Sequence, residues 1–215
     1  MSLPAATPRI LALLRWSAVA LAFVSLAALL SHVFGWLPMP YFLEVFGVPS
    51  LLLLLALGAF AKKINAALLV NGLWVGVGAG LIASLVYDGV RWVVGITHLF
   101  GYTGFVPILM FGHWITGAPI DSTPAAIAGW SYHYWNGMTF GVIYTLAAGS
   151  CAWGWGVLYG ILMECCMLGL FPLFLKVNNR FDFVAVSMIG HVAYGATLGI
   201  LARRWLIDTR ARRAP

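Results

Sequence analysis

Seven long runs of apolar residues, separated by short polar or glycine- and proline-containing breaks, make up most of this chain. The runs cover approximately residues 10–34, 42–61, 65–87, 92–116, 125–149, 153–175 and 183–203. Each run holds about the 20 residues that an α-helix needs to cross a hydrocarbon core about 30 Å thick. The pattern therefore predicts an all-α integral membrane protein, a compact bundle of about seven transmembrane helices. Because the breaks are short, we expect residues 1–215 to form a single polytopic domain ending in a basic tail, residues 204–215.

The composition excludes a soluble globular protein, since 62% of the residues are hydrophobic and 8% are charged. Lipid solvates such an apolar surface directly, whereas water does not. The net charge of +6 comes from basic residues at the ends of runs and in the tail, where they contact lipid headgroups. We therefore expect a multi-pass protein of the cell membrane, the inner membrane in a bacterium, with membrane lipids as partners and no nucleic acid. Assembly as a homo-oligomer is also compatible with this surface.

The basic residues allow two orientations of the chain. If all seven runs span, the basic tail lies opposite Lys62 and Lys63, and the positive charges are nearly balanced across the membrane. If the fourth run, which contains Gly104 and Pro107, is broken or re-entrant, the N-terminus, this lysine pair and the tail share the cytoplasmic side. The second arrangement fits the positive-inside rule better, but the fourth run is long enough to span. We therefore predict seven spans.

Two stretches of the chain repeat one pattern of polar and small residues. Residues 133–141 (HYWNGMTFG) and 191–199 (HVAYGATLG) align without a gap and share His, Gly, Thr and Gly at the same four places. Both lie inside apolar runs, where a titratable ring is expensive to place and is usually kept for function. The pattern therefore predicts that the helices carrying His133 and His191 form the walls of a site.

A wider repeat organises the predicted bundle. A proline-bearing segment precedes each of three glycine-rich helices, with Pro49, Pro107 and Pro172 in the leading segments. This spacing suggests one leading helix followed by three related hairpins. Internal repeats in membrane proteins commonly place the working site at the repeat interface.

Helical spacing places polar groups beside the two histidines, because residues three or four apart share a face. Asn136 lies beside His133, and Tyr194 lies beside His191. Glu164 falls in the middle of an apolar run, where a carboxylate needs a partner or takes up a proton. The two histidines are the expected partners, and a His–His–Glu group is a familiar ligand set for zinc or iron.

Asp88 and Arg91 are three residues apart at the predicted end of the third run, the spacing of a charge-assisted pair. Such a pair is typical of an interfacial salt bridge. Alternatively, Arg91 binds an anionic headgroup or phosphate at the mouth of the cavity. Asp88 and Arg91 are therefore the candidate substrate-binding residues.

No common catalytic motif identifies a reaction. The chain has no phosphate-binding loop, no His-Glu-x-x-His and no nucleophile elbow. The three cysteines, Cys151, Cys165 and Cys166, have no disulfide or zinc spacing, and we expect them to be buried in apolar packing.

Three classes of function fit this polar constellation. The first is an intramembrane enzyme that acts on a lipid or isoprenoid-like substrate by acid–base or metal-assisted chemistry. The second is a transporter of protons, metal ions or small solutes, and the third is a b-type haem protein. We favour the enzyme, with a divalent metal as the candidate cofactor and haem as the weaker alternative. The candidate catalytic residues are His133, His191, Glu164, Asn136 and Tyr194, and the candidate metal ligands are His133, His191 and Glu164.

Overall fold

Seven helices account for nearly all of the chain that the structure describes. The computed structural model describes residues 7–101, 104–170 and 180–211, and no strand occurs within these ranges. The predicted all-helical class and the number of helices are confirmed. The helices are α1 (Pro8–Val33), α2 (Met39–Lys63, with a π-helical stretch at Leu43–Gly47), α3 (Ala67–Ile96), α4 (Val106–Thr116), α5 (Thr123–Ala147), α6 (Gly154–Leu170) and α7 (Arg180–Ala211).

Four of these helices, α1, α2, α3 and α7, are long and apolar enough to cross a membrane by length and composition. Large apolar side chains cover their outer faces; Leu52 is 61% exposed and Trp74 is 68% exposed. The helix α5 is 25 residues long but carries tyrosine, histidine and asparagine side chains, which make it less apolar. The last five residues of the predicted sixth run, including Pro172, lie outside the described residues.

Local signals set the ends of several helices. Thr7 and Ser122 accept hydrogen bonds from the backbone N–H groups three residues ahead, at the starts of α1 and α5. Gly117, with φ of +69°, ends α4 in the left-handed conformation typical of a helix C-terminus. At the C-terminus of α5, Arg15 of α1 donates to the carbonyl oxygens of Leu146 and Ala147. This contact satisfies carbonyl groups that have no partner within the helix.

The helix α5 packs against α1, α3 and α4, while α7 packs against α3 and α6. In three of these pairs the helices approach so closely that a β-carbon on a facing glycine would collide with the neighbouring backbone or, at Gly137, with the side chain of Ser84. This is the close packing expected of small residues at helix interfaces in membranes. The facing glycines are Gly80 and Gly137 in α3 and α5, Gly112 and Gly129 in α4 and α5, and Gly156 and Gly195 in α6 and α7.

The two aligned motifs use their glycines against different helices. Gly137 and Gly141 of α5 pack on α3, whereas Gly195 and Gly199 of α7 pack on α6, the preceding helix in the chain. The contacts made by the two motifs are therefore not equivalent. The proposed hairpin repeat stays a hypothesis that rests on the sequence.

The fourth run is not one continuous helix, in contrast to the prediction. Residues 92–96 complete α3, the described residues between α3 and α4 are irregular, and α4 contains only 11 residues. At about 1.5 Å per residue, α4 is about 16 Å long, roughly half the thickness of a hydrocarbon core. Gly104 has φ of +78°, and a β-carbon there would lie 3.1 Å from Arg91 Nε. His98, with φ of +53°, and Gly104 therefore both adopt the left-handed conformation between α3 and α4, and these turns interrupt the run.

The helix α4 runs in the same direction as α3, because both are antiparallel to α5. After α3 the chain turns back, so that Gly104 lies against Arg91, before α4 resumes the direction of α3. The contacts that fix these directions are Gly76–Gly141 and Gly80–Gly137 for α3 with α5, and Ile108–Gly129 and Gly112–Ala125 for α4 with α5.

The three cysteines lie at the surface, and not in buried packing as we expected. Cys151, Cys165 and Cys166 are all exposed and carry free thiols. Cys165 and Cys166 lie on the exposed side of α6, whereas the neighbouring Met163 and Met167 pack against the core.

Candidate functional site

A cavity of about 280 Å³ lies inside the bundle, with walls from every helix except α2. Most of the wall is apolar, with aromatic and aliphatic side chains from α1, α4, α5 and α6. The volume is just below the ~300–1,000 Å³ that is usual for small-molecule sites. Both histidines of the aligned motifs reach this cavity. The charged, imidazole, amide and hydroxyl side chains that line it include Arg91, His133, Asn136, Ser187 and His191.

His133 of α5 pairs with a carboxylate of α3. Its Nε2 lies 3.1 Å from Asp88 Oδ2, and the two side chains are 17% and 11% exposed. The helix α3 continues past Asp88 to Ile96, so this carboxylate lies within the helix and not at its end as predicted. A buried acid is tolerated here because the neighbouring helix supplies a hydrogen-bonding partner.

His191 of α7 pairs with the carboxylate of Glu164, which is completely buried. Glu164 Oε2 accepts a hydrogen bond from Ser187 Oγ at 2.8 Å and lies 2.8 Å from His191 Nδ1. The same nitrogen lies 3.0 Å from the carbonyl oxygen of Ser187, which can only accept a hydrogen bond. Nδ1 therefore carries a proton, and Nε2 is the nitrogen left to the cavity that His191 lines. The expected pairing of Glu164 with a histidine is confirmed.

Tyr87 lies against both imidazoles, a position that we did not predict. The centroid of its ring is 5.0 Å from that of His191 and 5.8 Å from that of His133. The ring also stacks under the guanidinium of Arg91, at 4.6 Å. The available sequence signal was the four-residue spacing between Tyr87 and Arg91, which places them on one face of α3.

Arg91 is a buried cation whose distance to the Asp88 carboxylate is longer than a hydrogen bond. Its residue is 4% exposed, and its Nη1 is 4.0 Å from Asp88 Oδ1, beyond hydrogen-bond length. Among the described residues its Nε has no hydrogen-bond partner, while the guanidinium contacts the rings of Tyr87 and Phe105. Of the two candidate substrate-binding residues, Arg91 lines the cavity, whereas Asp88 does not and contacts His133.

Asn136 and Tyr194 both line the cavity, but their polar atoms differ in availability. The Tyr194 hydroxyl donates to the carbonyl oxygen of Gly137 at 2.8 Å, so its proton is already used to join α7 to α5. The Asn136 amide donates to Tyr132, whereas its Oδ1 has no partner among the described residues. The Asn136 oxygen is therefore enclosed and without a partner among the described residues, and the Tyr194 hydroxyl has no proton left to donate to a ligand.

The described residues contain no group of three His, Cys, Asp or Glu side chains placed to hold a metal ion. His133 contacts Asp88, His191 contacts Glu164, and Tyr87 packs on both rings. The candidate ligand set of His133, His191 and Glu164 is therefore not assembled, because the two histidines pair with different carboxylates.

No protein-family model matches the chain, and comparisons with characterised proteins and with solved structures find no similar protein. Function must therefore be argued from the geometry of the site. That geometry consists of two imidazoles, each held by a buried carboxylate, which share an apolar-walled cavity with a guanidinium. Such a group can donate, accept and relay protons, and it can bind negative charge.

Proposed function

We propose that the protein is an intramembrane enzyme that transfers protons to or from a lipid or isoprenoid-like substrate. The observation that carries this proposal is the Ser187–Glu164–His191 group, in which a buried carboxylate holds one nitrogen of a histidine while the ring lines the cavity. Orientation of an imidazole by a carboxylate is the arrangement that hydrolases use to prepare a general base. The apolar wall suits a hydrocarbon substrate.

His191 is the proposed general base. Its Nε2 accepts a proton from the substrate, and the imidazolium that forms is stabilised by the Glu164 carboxylate. Glu164 is fully buried and acts through His191, so it is a positioning residue. His133, held by Asp88, is the second proton-transfer group: as an imidazolium it donates a proton to the product while His191 holds the proton that it removed, and proton exchange between the two rings restores both before the next turnover. Arg91 stabilises negative charge on the substrate, and charge stabilisation in a site that excludes water is worth far more than in bulk.

We also propose that the bundle is embedded in a membrane with a re-entrant fourth segment. Because α4 runs parallel to α3 and is short, the ends of α2 and α7 and the start of α1 then lie on one side. Those ends carry most of the positive charge, as expected for the cytoplasmic side. This revises the expectation of seven full spans. The basic residues at these helix ends are Arg9, Arg15, Lys62, Lys63, Arg203, Arg204 and Arg210, seven of the 12 in the chain.

The enzyme proposal can be tested by following lipids directly. The purified protein would be incubated with a total extract of polar and isoprenoid lipids, and the species before and after would be compared by mass spectrometry. We expect a defined set of species to change, and His191→Gln to slow that change by about 10²–10⁴-fold, the usual contribution of a general base.

His113→Gln is the matched control, because His113 lies on α4 outside the cavity and its Nδ1 contacts the carbonyl oxygen of Ala118. It should keep the wild-type rate. The proposal is wrong if the folded wild-type protein changes no species, or if His191→Gln is as active as His113→Gln.

A proton-coupled transporter is the second candidate. Asp88 Oδ1 and Glu164 Oε1 are buried and lack hydrogen-bond partners among the described residues, so either oxygen can take up a proton. Buried carboxylates beside histidines are typical of proton relays in pumps and transporters. Two results together would favour this function. Sealed proteoliposomes with the wild-type protein would take up protons and those with Glu164→Gln would not, and the wild-type protein would change no species in the lipid extract.

A further inference from the structure

The cavity opens sideways, towards the apolar outer surface. Three residues both line the cavity and are exposed: Phe23 of α1 is 46% exposed, Leu162 of α6 is 59% exposed, and Cys166 is exposed on the same face of α6. The helix α1 packs on α5, and α6 packs on α7, with little contact between α1 and α6 themselves. The gap between these two helices is therefore a mouth to the bilayer interior, not to water.

The cavity is elongated and has different chemistry at its two ends. Along α5 it reaches from His133 to Ile143, a length of about 15 Å at 1.5 Å per residue. Arg91 and His133 lie at one end, whereas Ile143 and Phe23 lie towards the other. A molecule that fills it must therefore be polar at one end and apolar along its length.

The polar end presents a buried cation whose hydrogen bonds are incomplete. Asp88 and Glu164 are each at hydrogen-bond distance from an imidazole, His133 and His191, whereas Asp88 stays 4.0 Å from Arg91. Asp182, at the start of α7, accepts a hydrogen bond from Gly101 N at 2.7 Å. Arg91 is 96% buried, its Nε has no hydrogen-bond partner among the described residues, and it lines the cavity. A buried cation in this state is stabilised by an anionic group that hydrogen-bonds to it.

We propose that the cavity binds a single-chain amphiphile with an anionic headgroup, which enters between α1 and α6 and places its head at Arg91. This inference rests on the proposed function and specifies its substrate class. A volume of about 280 Å³ admits a small headgroup and one chain, and the rest of the chain leaves through the α1–α6 mouth. A diacyl lipid would need room for a second chain, which a volume of about 280 Å³ does not supply.

The test uses a photoreactive palmitic acid with a diazirine in the middle of its chain. The full-length protein, in phosphatidylcholine nanodiscs, is irradiated with this probe, and the labelled peptides are identified by mass spectrometry. We expect labels on the segments of α1 and α6 that contain Phe23 and Leu162. Palmitate or hexadecyl phosphate should remove the labels at concentrations at least tenfold lower than hexadecanol does. Better competition by palmitate would identify a carboxylate head, and better competition by hexadecyl phosphate would identify a phosphate head.

Two pairs of measurements locate the head and the mouth. Arg91→Gln should weaken labelling at least tenfold, and the competition series on the wild-type protein gives the same information if that variant does not fold. Leu162→Trp should block labelling, whereas Leu158→Trp should not, because Leu158 is 53% exposed on the same helix but does not line the cavity.

The outcomes separate this inference from the enzyme proposal, since labelling needs no turnover. His191→Gln should still be labelled although it is inactive. Equal competition by hexadecanol would overturn the anionic head, and wild-type labelling of Leu162→Trp would overturn the lateral mouth. Labels spread evenly over the outer surface, with no competition, would overturn both.

Discussion

Removing both members of the buried Glu164–His191 pair should cost less stability than removing either one. Glu164→Leu leaves the His191 N–H with only the Ser187 carbonyl as a partner, and His191→Leu leaves a fully buried carboxylate held by one hydroxyl. Breaking a buried pair from one side costs about 3–5 kcal/mol, whereas replacing both members by apolar groups is often neutral. In Glu164→Leu the His191 ring keeps one partner, so we expect this variant to lose about 3 kcal/mol of unfolding free energy. His191→Leu should lose about 5 kcal/mol, the upper end of this range.

The assay is a double-mutant cycle on thermal unfolding, followed by tryptophan fluorescence in a neutral detergent. For a chain of this size 1 kcal/mol corresponds to about 2–4 °C in Tm, so Glu164→Leu should lower Tm by about 6–12 °C. The double variant should recover most of this loss, so the coupling energy, which is the sum of the two single losses minus the double loss, should exceed about 5 kcal/mol. Glu164→Leu combined with His113→Leu is the control and should be additive.

Additive losses in the Glu164→Leu/His191→Leu variant would refute the reasoning. The two side chains would then be uncoupled, and Glu164 could not orient the imidazole. Loss of activity in the double variant, together with recovered stability, would place the pair in the function and not in the scaffold.

Two further predictions concern packing and the Tyr194 hydroxyl. Gly80→Ala should lower Tm because its β-carbon would meet the carbonyl oxygen of Gly137. Gly89→Ala on the same helix is the control and should leave Tm unchanged or raise it, since nothing lies within 4 Å of a β-carbon there. Equal Tm values for the two variants in fluorescence melts would contradict the close packing. Tyr194→Phe removes the hydrogen bond to Gly137 and should cost about 1 kcal/mol, or about 2–4 °C, with kcat in the lipid assay unchanged. A large loss of kcat at full stability would return Tyr194 to the catalytic residues.

Most of the helix positions could be predicted from the sequence, because apolar run length is a local property. The predicted ends of α1, α2 and α5 lie within about three residues of the observed ends. The interior position of both histidines also followed from the cost of placing a polar ring among lipids. Glu164 required a partner for the same reason, and a neighbouring helix supplies one.

The errors arose where a distant residue decides a local outcome. We placed the end of the third run at Asp88 because a charge usually marks an end, but His133 accommodates that charge and α3 continues to Ile96. We joined residues 92–116 into one helix because hydropathy averages over Gly104, whose conformation interrupts the run. The candidate metal ligands were not brought together because each histidine lies beside a different carboxylate, which spacing within one run cannot reveal.

The direction of α4 leads to the last prediction, which decides between a re-entrant and a spanning fourth segment. If α4 is re-entrant, the turn before it and the turn after it lie on the same side of the membrane. Leu99 is 76% exposed in the first turn, and Ile120 is 41% exposed in the second. Each would be replaced by cysteine in a variant whose three native cysteines are serine, and an impermeant maleimide would be added to intact cells.

We expect Leu99→Cys and Ile120→Cys to be labelled alike from outside the cell. Lys63→Cys, at the end of α2, should be labelled only after the cells are permeabilised, because the proposed orientation places it with the positive charges on the cytoplasmic side. A spanning α4 would place Leu99 and Ile120 on opposite sides, so that one is labelled in intact cells and the other is not. That result would also move the Arg91 end of the cavity relative to the membrane, since Gly104 in the turn before α4 lies directly against Arg91.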